Sequence, residues 1–189
     1  MSKKSIDVKI IRKFILDGRN SGKTDQEIYH ELSQKFYDKK TIALLITGTI
    51  TAEKKKKYKI YNIILLGLIG FFVLFNVLCF FSLIEQTREV WIFLLLAAVF
   101  LLVAGYFMYG IATYNGPIYR MCWIFTIWVL LLNIIDAKGG VEILVNVLLT
   151  STIIFLSFYL DKKMFPNYSH RNLKKDNNGE YILLWKKST

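Results

Sequence analysis

The chain has 189 residues, 54% of them hydrophobic, with 25 Lys/Arg against 14 Asp/Glu and a net charge of +11. So apolar a composition excludes an ordinary soluble domain and fits a small integral membrane protein. Two cysteines and two histidines are too few for a disulfide scaffold or a Cys/His metal framework.

Residues 1–50 read as a small cytoplasmic three-helix domain. In IDVKIIRKFILDG, apolar residues recur at Ile6, Ile10, Phe14 and at Val8, Ile11, Ile15, a helical stripe. The capping box TDQE, Thr24 to Glu27, starts a second helix through about Phe36, with Ile28, Leu32 and Phe36 on one face. Asp38 caps a third helix, KKTIALLIT, which Gly48 ends. A core this small is marginal alone. The third helix is too apolar to read base edges, so direct DNA readout is not expected.

Between the first two helices lies GRNSGKTD, Gly18 to Asp25. A P-loop needs G-x-x-x-x-G-K-[ST] between a strand and a helix, so that backbone N–H groups wrap phosphate. Here the spacing Gly18-x-x-x-Gly22-Lys23-Thr24 is one residue short and the preceding segment has helical period. The stretch reads as a helical connection, with Gly18 as C-cap and Thr24 as N-cap. The pattern Ile11-x-x-x-Ile15-x-x-Gly18 followed by TDQEIYHEL resembles small UBA-like three-helix modules tethered ahead of bacterial membrane spans. That resemblance implies a protein-interaction module without catalysis.

Thr51 caps a helix that runs without Gly or Pro into the first apolar segment, past the basic run Lys54, Lys55, Lys56 and Lys57. This run reads first as a topology anchor and second as a site for anionic headgroups. Residues 51–160 then read as an antiparallel bundle of four transmembrane helices, with spans at about 60–84, 91–113, 118–135 and 141–160. Each reaches or approaches the roughly 20 residues that cross a hydrocarbon core of about 30 Å. None shows the in-out alternation of a barrel strand.

Residues 1–59 carry 15 Lys/Arg against 7 Asp/Glu, and residues 161–189 carry 7 against 3. Positive charge is retained inside, so both termini are expected in the cytoplasm, across a bacterial inner membrane. The connector Tyr114–Arg120 then faces inward, and Glu85–Glu89 and Asp136–Gly140 face outward. Tyr58, Tyr61, Tyr109, Tyr114, Tyr119 and Tyr159 are expected at the inner interface and Trp91 at the outer one.

Polar residues inside the spans cluster by face. Cys122, Thr126, Asn133 and Asp136 share one face of span three, and Glu142, Asn146, Thr150, Ser157 and Asp161 one face of span four. Span one adds Asn76, Cys79 and Ser82, and span two a small-residue stripe, Ala98, Gly105 and Ala112. Helical rise places Asn76, Asn133 and Asn146 at one depth, with Thr126, Thr150 and Gly105 a layer below. These side chains read as interhelical glue, or as the lining of an oligomeric ion channel. Cys79 and Cys122 differ in depth by roughly 20 Å, too far for an intrachain disulfide.

No catalytic constellation is visible. His30 and His170 lack partners at ligand spacing, and the R-x-x-x-x-H pattern of HEPN ribonucleases is absent. No cofactor, no metal and no enzymatic activity are expected. The basic tail, residues 161–189, ends in an apolar patch, Tyr181-Ile-Leu-Leu-Trp185, too short to span. Tyr181, Leu184 and Trp185 are expected to dock on the N-terminal domain, a neighbouring subunit or a partner.

The expected partners are the lipid bilayer, further copies of the chain in a homo-oligomer, and a cytoplasmic protein. In layout alone the chain is similar to four-span accessory proteins encoded beside bacterial phage-defence nucleases, including those of type VI-B CRISPR loci. That likeness implies a non-enzymatic membrane adaptor or effector that acts on the membrane or modulates a nuclease.

Overall fold

A computed structural model describes residues 7–36, 38–84, 90–135, 141–166, 168, 173, 176 and 180–183. Within the helices, the side chains of 79–84, 90, 92, 93, 133–135 and 142 are outside that description. Seven α-helices follow in order, and the described residues contain no strand: α1 (Val8–Asn20), α2 (Asp25–Lys35), α3 (Lys39–Gly48), α4 (Ala52–Ile84), α5 (Val90–Ala112), α6 (Gly116–Ile135) and α7 (Val141–Met164). The chain divides into two compact units. One joins residues 1–55 to residues 164–189, and the other is 56–163.

In the first unit, three caps set the helix starts. Asp7 accepts from Lys9 N, Thr24 and Glu27 form a reciprocal capping box, and Asp38 accepts from Thr41 N. Ile11 and Ile15 of α1, Ile28, Tyr29 and Leu32 of α2, and Ile42, Ala43 and Ile46 of α3 form one buried cluster. Val8 and Ile10 stay outside it, 42% and 64% exposed. The buried stripe is therefore the Ile11, Ile15, Gly18 face.

Gly18 does not cap α1. The helix continues to Asn20 with Ser21 as its cap, and Gly18 lies where Ile28 packs: an added Cβ would stand 3.0 Å from Ile28 Cδ1. Gly22 takes the left-handed turn, at φ +82°. The loop that resembled a phosphate cradle is held by Arg19. Its guanidinium meets the Asp25 carboxylate with both forks, at 2.8 and 2.9 Å. It also donates to the C-terminal carbonyls of α3, Ile46 O at 2.9 Å and Thr49 O at 2.8 Å. One buried cation thus ties three helix ends together.

The tail joins this core. Leu183 is 6% exposed within the cluster, and Leu173 and Tyr181 pack against it.

In the second unit, three helical stretches are long and apolar enough to cross a membrane: Ala52–Leu78, which begins in the first unit, Leu94–Ala112 and Ile143–Met164. A shorter apolar helix covers Gly116–Leu132. Contacts join the four helices in a cycle. Phe72 meets Phe100 (α4 to α5), Phe107 meets Phe125 (α5 to α6), Trp123 meets Phe158 (α6 to α7), and Tyr58 and Tyr61 meet Tyr159 (α4 to α7). Large apolar side chains face outward on all four, among them Ile60, Leu102, Trp128 and Phe155. Such a surface suits hydrocarbon and not water. Gly110 lets α6 approach α5, since a Cβ there would lie 2.5 Å from Ile118. The connectors 85–89 and 136–140 lie outside the described residues.

Candidate functional site

Two polar sites stand out, one in each unit. In the helical bundle the expected polar layer is one of aligned asparagines and hydroxyls. Asn76 Nδ2 donates to Asn146 Oδ1 at 3.5 Å, at the edge of hydrogen-bond reach, and more closely to Phe72 O of its own helix at 2.8 Å. The side chains of Asn133, Cys79 and Ser82 are outside the described residues, as is all of Asp136.

Thr126 and Thr150 are buried, as are Cys122 and Ser157. Their hydroxyls donate within their own helices. Thr126 Oγ1 donates to Cys122 O at 2.8 Å, Thr150 Oγ1 to Asn146 O at 2.6 Å, and Ser157 Oγ to Ile153 O at 2.6 Å. Each closes on the preceding turn of its own helix, the local bond that Ser and Thr make wherever water is scarce. Ser157 of α7 also meets the Cys122 side chain of α6.

Gly105 faces away from them. It is exposed with nothing near its missing Cβ, and Ala98 and Ala112 are exposed beside it. The buried small residue of α5 is Ala104. Thr126 and Cys122 instead line a cavity of about 30 Å³ whose other walls are apolar, including Ile69, Phe72, Phe107 and Ile153.

Closer polar contacts cross between these helices nearer their other end, and the sequence reading did not single out Asn62 among them. Asn62, 2% exposed, donates through Nδ2 to Ile111 O at 3.1 Å. The fully buried Tyr119 hydroxyl donates to Asn62 Oδ1 and lies 3.1 Å from Ile111 O. One amide and one phenol join α4, α5 and α6. Tyr119, expected at the lipid interface, has turned inside to make that bond. Arg120 reaches the buried Asp161 carboxylate at 3.4 Å, pairing α6 with α7. The basic run lies on the first turns of α4, with Lys54 half-buried and Lys55, Lys56 and Lys57 exposed. Lys57 Nζ stands 5.8 Å from the centre of the Tyr58 ring.

The second site is in the first unit, where the tail meets α2. Gln26 Nε2 donates to Tyr181 O at 3.2 Å, and Leu183 N donates to Gln26 Oε1 at 2.9 Å. Tyr181 N donates to Tyr29 Oη at 3.4 Å, and the two rings meet edge-on at 6.4 Å. Burial pushes the Tyr29 phenol above its ordinary pKa, so it is neutral at physiological pH. Lys39 and Glu180 face each other at 3.5 Å on the exposed rim. Upstream, Asp176 and Glu180 close a turn, with Asp176 N donating to Glu180 O at 2.8 Å and Glu180 N to Asp176 Oδ1 at 2.8 Å. Of the expected docking residues, Tyr181 is part of this contact, and Leu184 and Trp185 lie outside the described residues.

The arrangement can bind and orient an extended segment. It contains no nucleophile–base pair, and the described residues contain no group of three His, Cys, Asp or Glu placed to hold a metal ion. No protein-family model, curated protein or solved structure matches the chain.

Proposed function

We propose that the chain is a non-enzymatic integral membrane adaptor or effector. Four spans, α4 to α7, anchor it, both termini lie in the cytoplasm, and the N-terminal unit with its tail engages a cytoplasmic protein. The observation that carries this reading is the insertion of Leu183 and Tyr181 into the α1–α3 core. A helical unit completed by the far end of the chain is a folded surface that bilayer anchoring alone does not require. It also brings both ends to one side of whatever lies between them, which supports an even number of crossings. The layout likeness to phage-defence accessory proteins makes a nuclease-modulating effector in a bacterial inner membrane the biological form of the proposal.

The alternative, an oligomeric pore lined by the polar faces of α6 and α7, gains less support. Those hydroxyls face into the chain's own bundle and are satisfied within their own helices. A pore axis between copies needs polar groups on the outside of each copy.

Reconstitution into liposomes and proximity labelling in membranes separate the two readings. The adaptor predicts no ion flux above protein-free liposomes, and labelled cytoplasmic neighbours whose recovery falls when Gln26 is replaced by Ala. Steady flux that vanishes on Thr150→Leu would replace it with the pore.

A further inference from the structure

Gln26 is an exposed residue of α2, yet its side-chain amide closes a ring with the main chain of the tail. It meets the C=O of residue 181 and the N–H of residue 183, two groups on either side of one residue. That is the pair a parallel β-strand would satisfy. An amide presenting one donor and one acceptor in one plane reads backbone, whatever the side chains. Side-chain selection is left to three features: the apolar seat of Leu183, the Tyr29 ring against Tyr181, and Lys39 opposite Glu180.

This is the grip of a ligand site more than of a core element. Of the four residues Glu180–Leu183 only Leu183 is buried, and two of the three main-chain bonds to α2 end on Gln26, at the surface, the third on the buried Tyr29. Bonds of that kind make only a modest net contribution each, within reach of exchange. The occupant is tethered, so it competes at an effective concentration in the millimolar range.

We propose that this face of α2 and α3 is a recognition site for an extended peptide on a partner protein, with the pattern acidic–aromatic–x–aliphatic. The chain's own Glu180–Leu183 is the built-in competitor that fills the site until the partner arrives. Gln26 and Tyr29 read the main chain, the Leu183 seat selects an aliphatic side chain, and Lys39 favours the acidic one. The inference rests on the adaptor reading and gives it a partner chemistry.

The test uses the full chain in nanodiscs and a fluorescent peptide, Asn-Gly-Glu-Tyr-Ile-Leu-Leu-Trp, copied from the tail. Leu183→Pro removes the N–H that Gln26 accepts and so frees the site. This variant is expected to bind the peptide at least about tenfold more tightly than the wild type. Adding Gln26→Ala takes that gain away by about tenfold, in line with the loss of one or two such bonds. In the wild type, millimolar peptide is expected to speed hydrogen exchange at the chain's own Tyr181 and Leu183 amides.

This last measurement needs no substitution, so it decides the matter if Leu183→Pro loosens α1–α3. Tail amides that stay protected at millimolar peptide overturn the proposal, whether the tail is held by its own copy or by a neighbour's. Because only purified protein is used, peptide exchange without any labelled partner in membranes would leave the site standing and remove the adaptor.

Discussion

Asn62 has more to hold in place than Asn76 or Asn146. Its amide is 2% exposed and engages both the α5 carbonyl of Ile111 and the hydroxyl of Tyr119 on α6. Asn146 meets Asn76 only at 3.5 Å, and Asn76 has a better acceptor within its own helix. Interhelical hydrogen bonds in membranes average about 0.6 kcal/mol and reach about 1.7. Asn62→Leu, which breaks two of them, is therefore expected to cost about 1–2 kcal/mol, and Asn146→Leu no more than about 0.6 kcal/mol. Reversible unfolding of the two variants in mixed micelles measures the difference, and equal losses would contradict it.

The order of importance was not readable in advance. Helix periodicity told which polar residues share a face, but not that Thr126, Thr150 and Ser157 would spend their donors on their own backbones. Nor did it show that Tyr119, a typical interface residue by type, would find a buried amide one helix away.

Among elements, the short helices of the first unit were the most legible, because their starts are written in side chains that must accept N–H groups. Thr24, Glu27 and Asp38 cap where the sequence placed them. The end of α1 was not legible. Glycine usually marks a terminus, but Gly18 is needed for the approach of Ile28, and the helix runs on two residues further.

These caps carry a pH dependence. The backbone N–H and then the hydroxyl of Thr24 hold the Glu27 carboxyl below its ordinary pKa, and the hydroxyl and then the N–H of Thr41 do the same for Asp38. Both carboxyls are thus ionised more readily when folded. Their stabilising effect is complete above the ordinary carboxylate range, about pH 4, and is lost as pH falls through the lowered folded-state values. The first unit is expected to loosen on acidification below about pH 4 and to keep its caps at neutral pH. Glu27→Gln keeps an acceptor but cannot titrate, so it should flatten its share of that loss. Denaturant midpoints for the helices, followed from pH 6 to pH 3 by residue-resolved hydrogen exchange, show whether it does.

At the scale of the whole molecule, two independent constraints bear on how often the chain crosses the membrane. Hydropathy is the first. It marks three helical stretches as long and apolar enough, with α6 contributing a shorter apolar stretch, Gly116–Leu132. The second is connectivity. Gln26 and Leu183 hydrogen-bond, so residues from both ends of the chain share one unit, and a unit cannot straddle hydrocarbon. In the proposed topology the path from Lys55 to Met164 returns to the side it left, after an even number of crossings. Helix α6 has 20 residues, about 30 Å at 1.5 Å per residue, and so has the length for the fourth crossing of that topology. The proposed topology puts the charge excess of both ends on the same side, the cytoplasm. With the native cysteines replaced, single cysteines at Ser5, Thr113 and Ser188 are expected to react with an impermeant maleimide only in inside-out vesicles. One at Lys138 is expected to react only from the outside. Labelling of positions 5 and 188 from opposite faces would mean that α6 does not cross and that the contact of Gln26 with the tail cannot form within one chain.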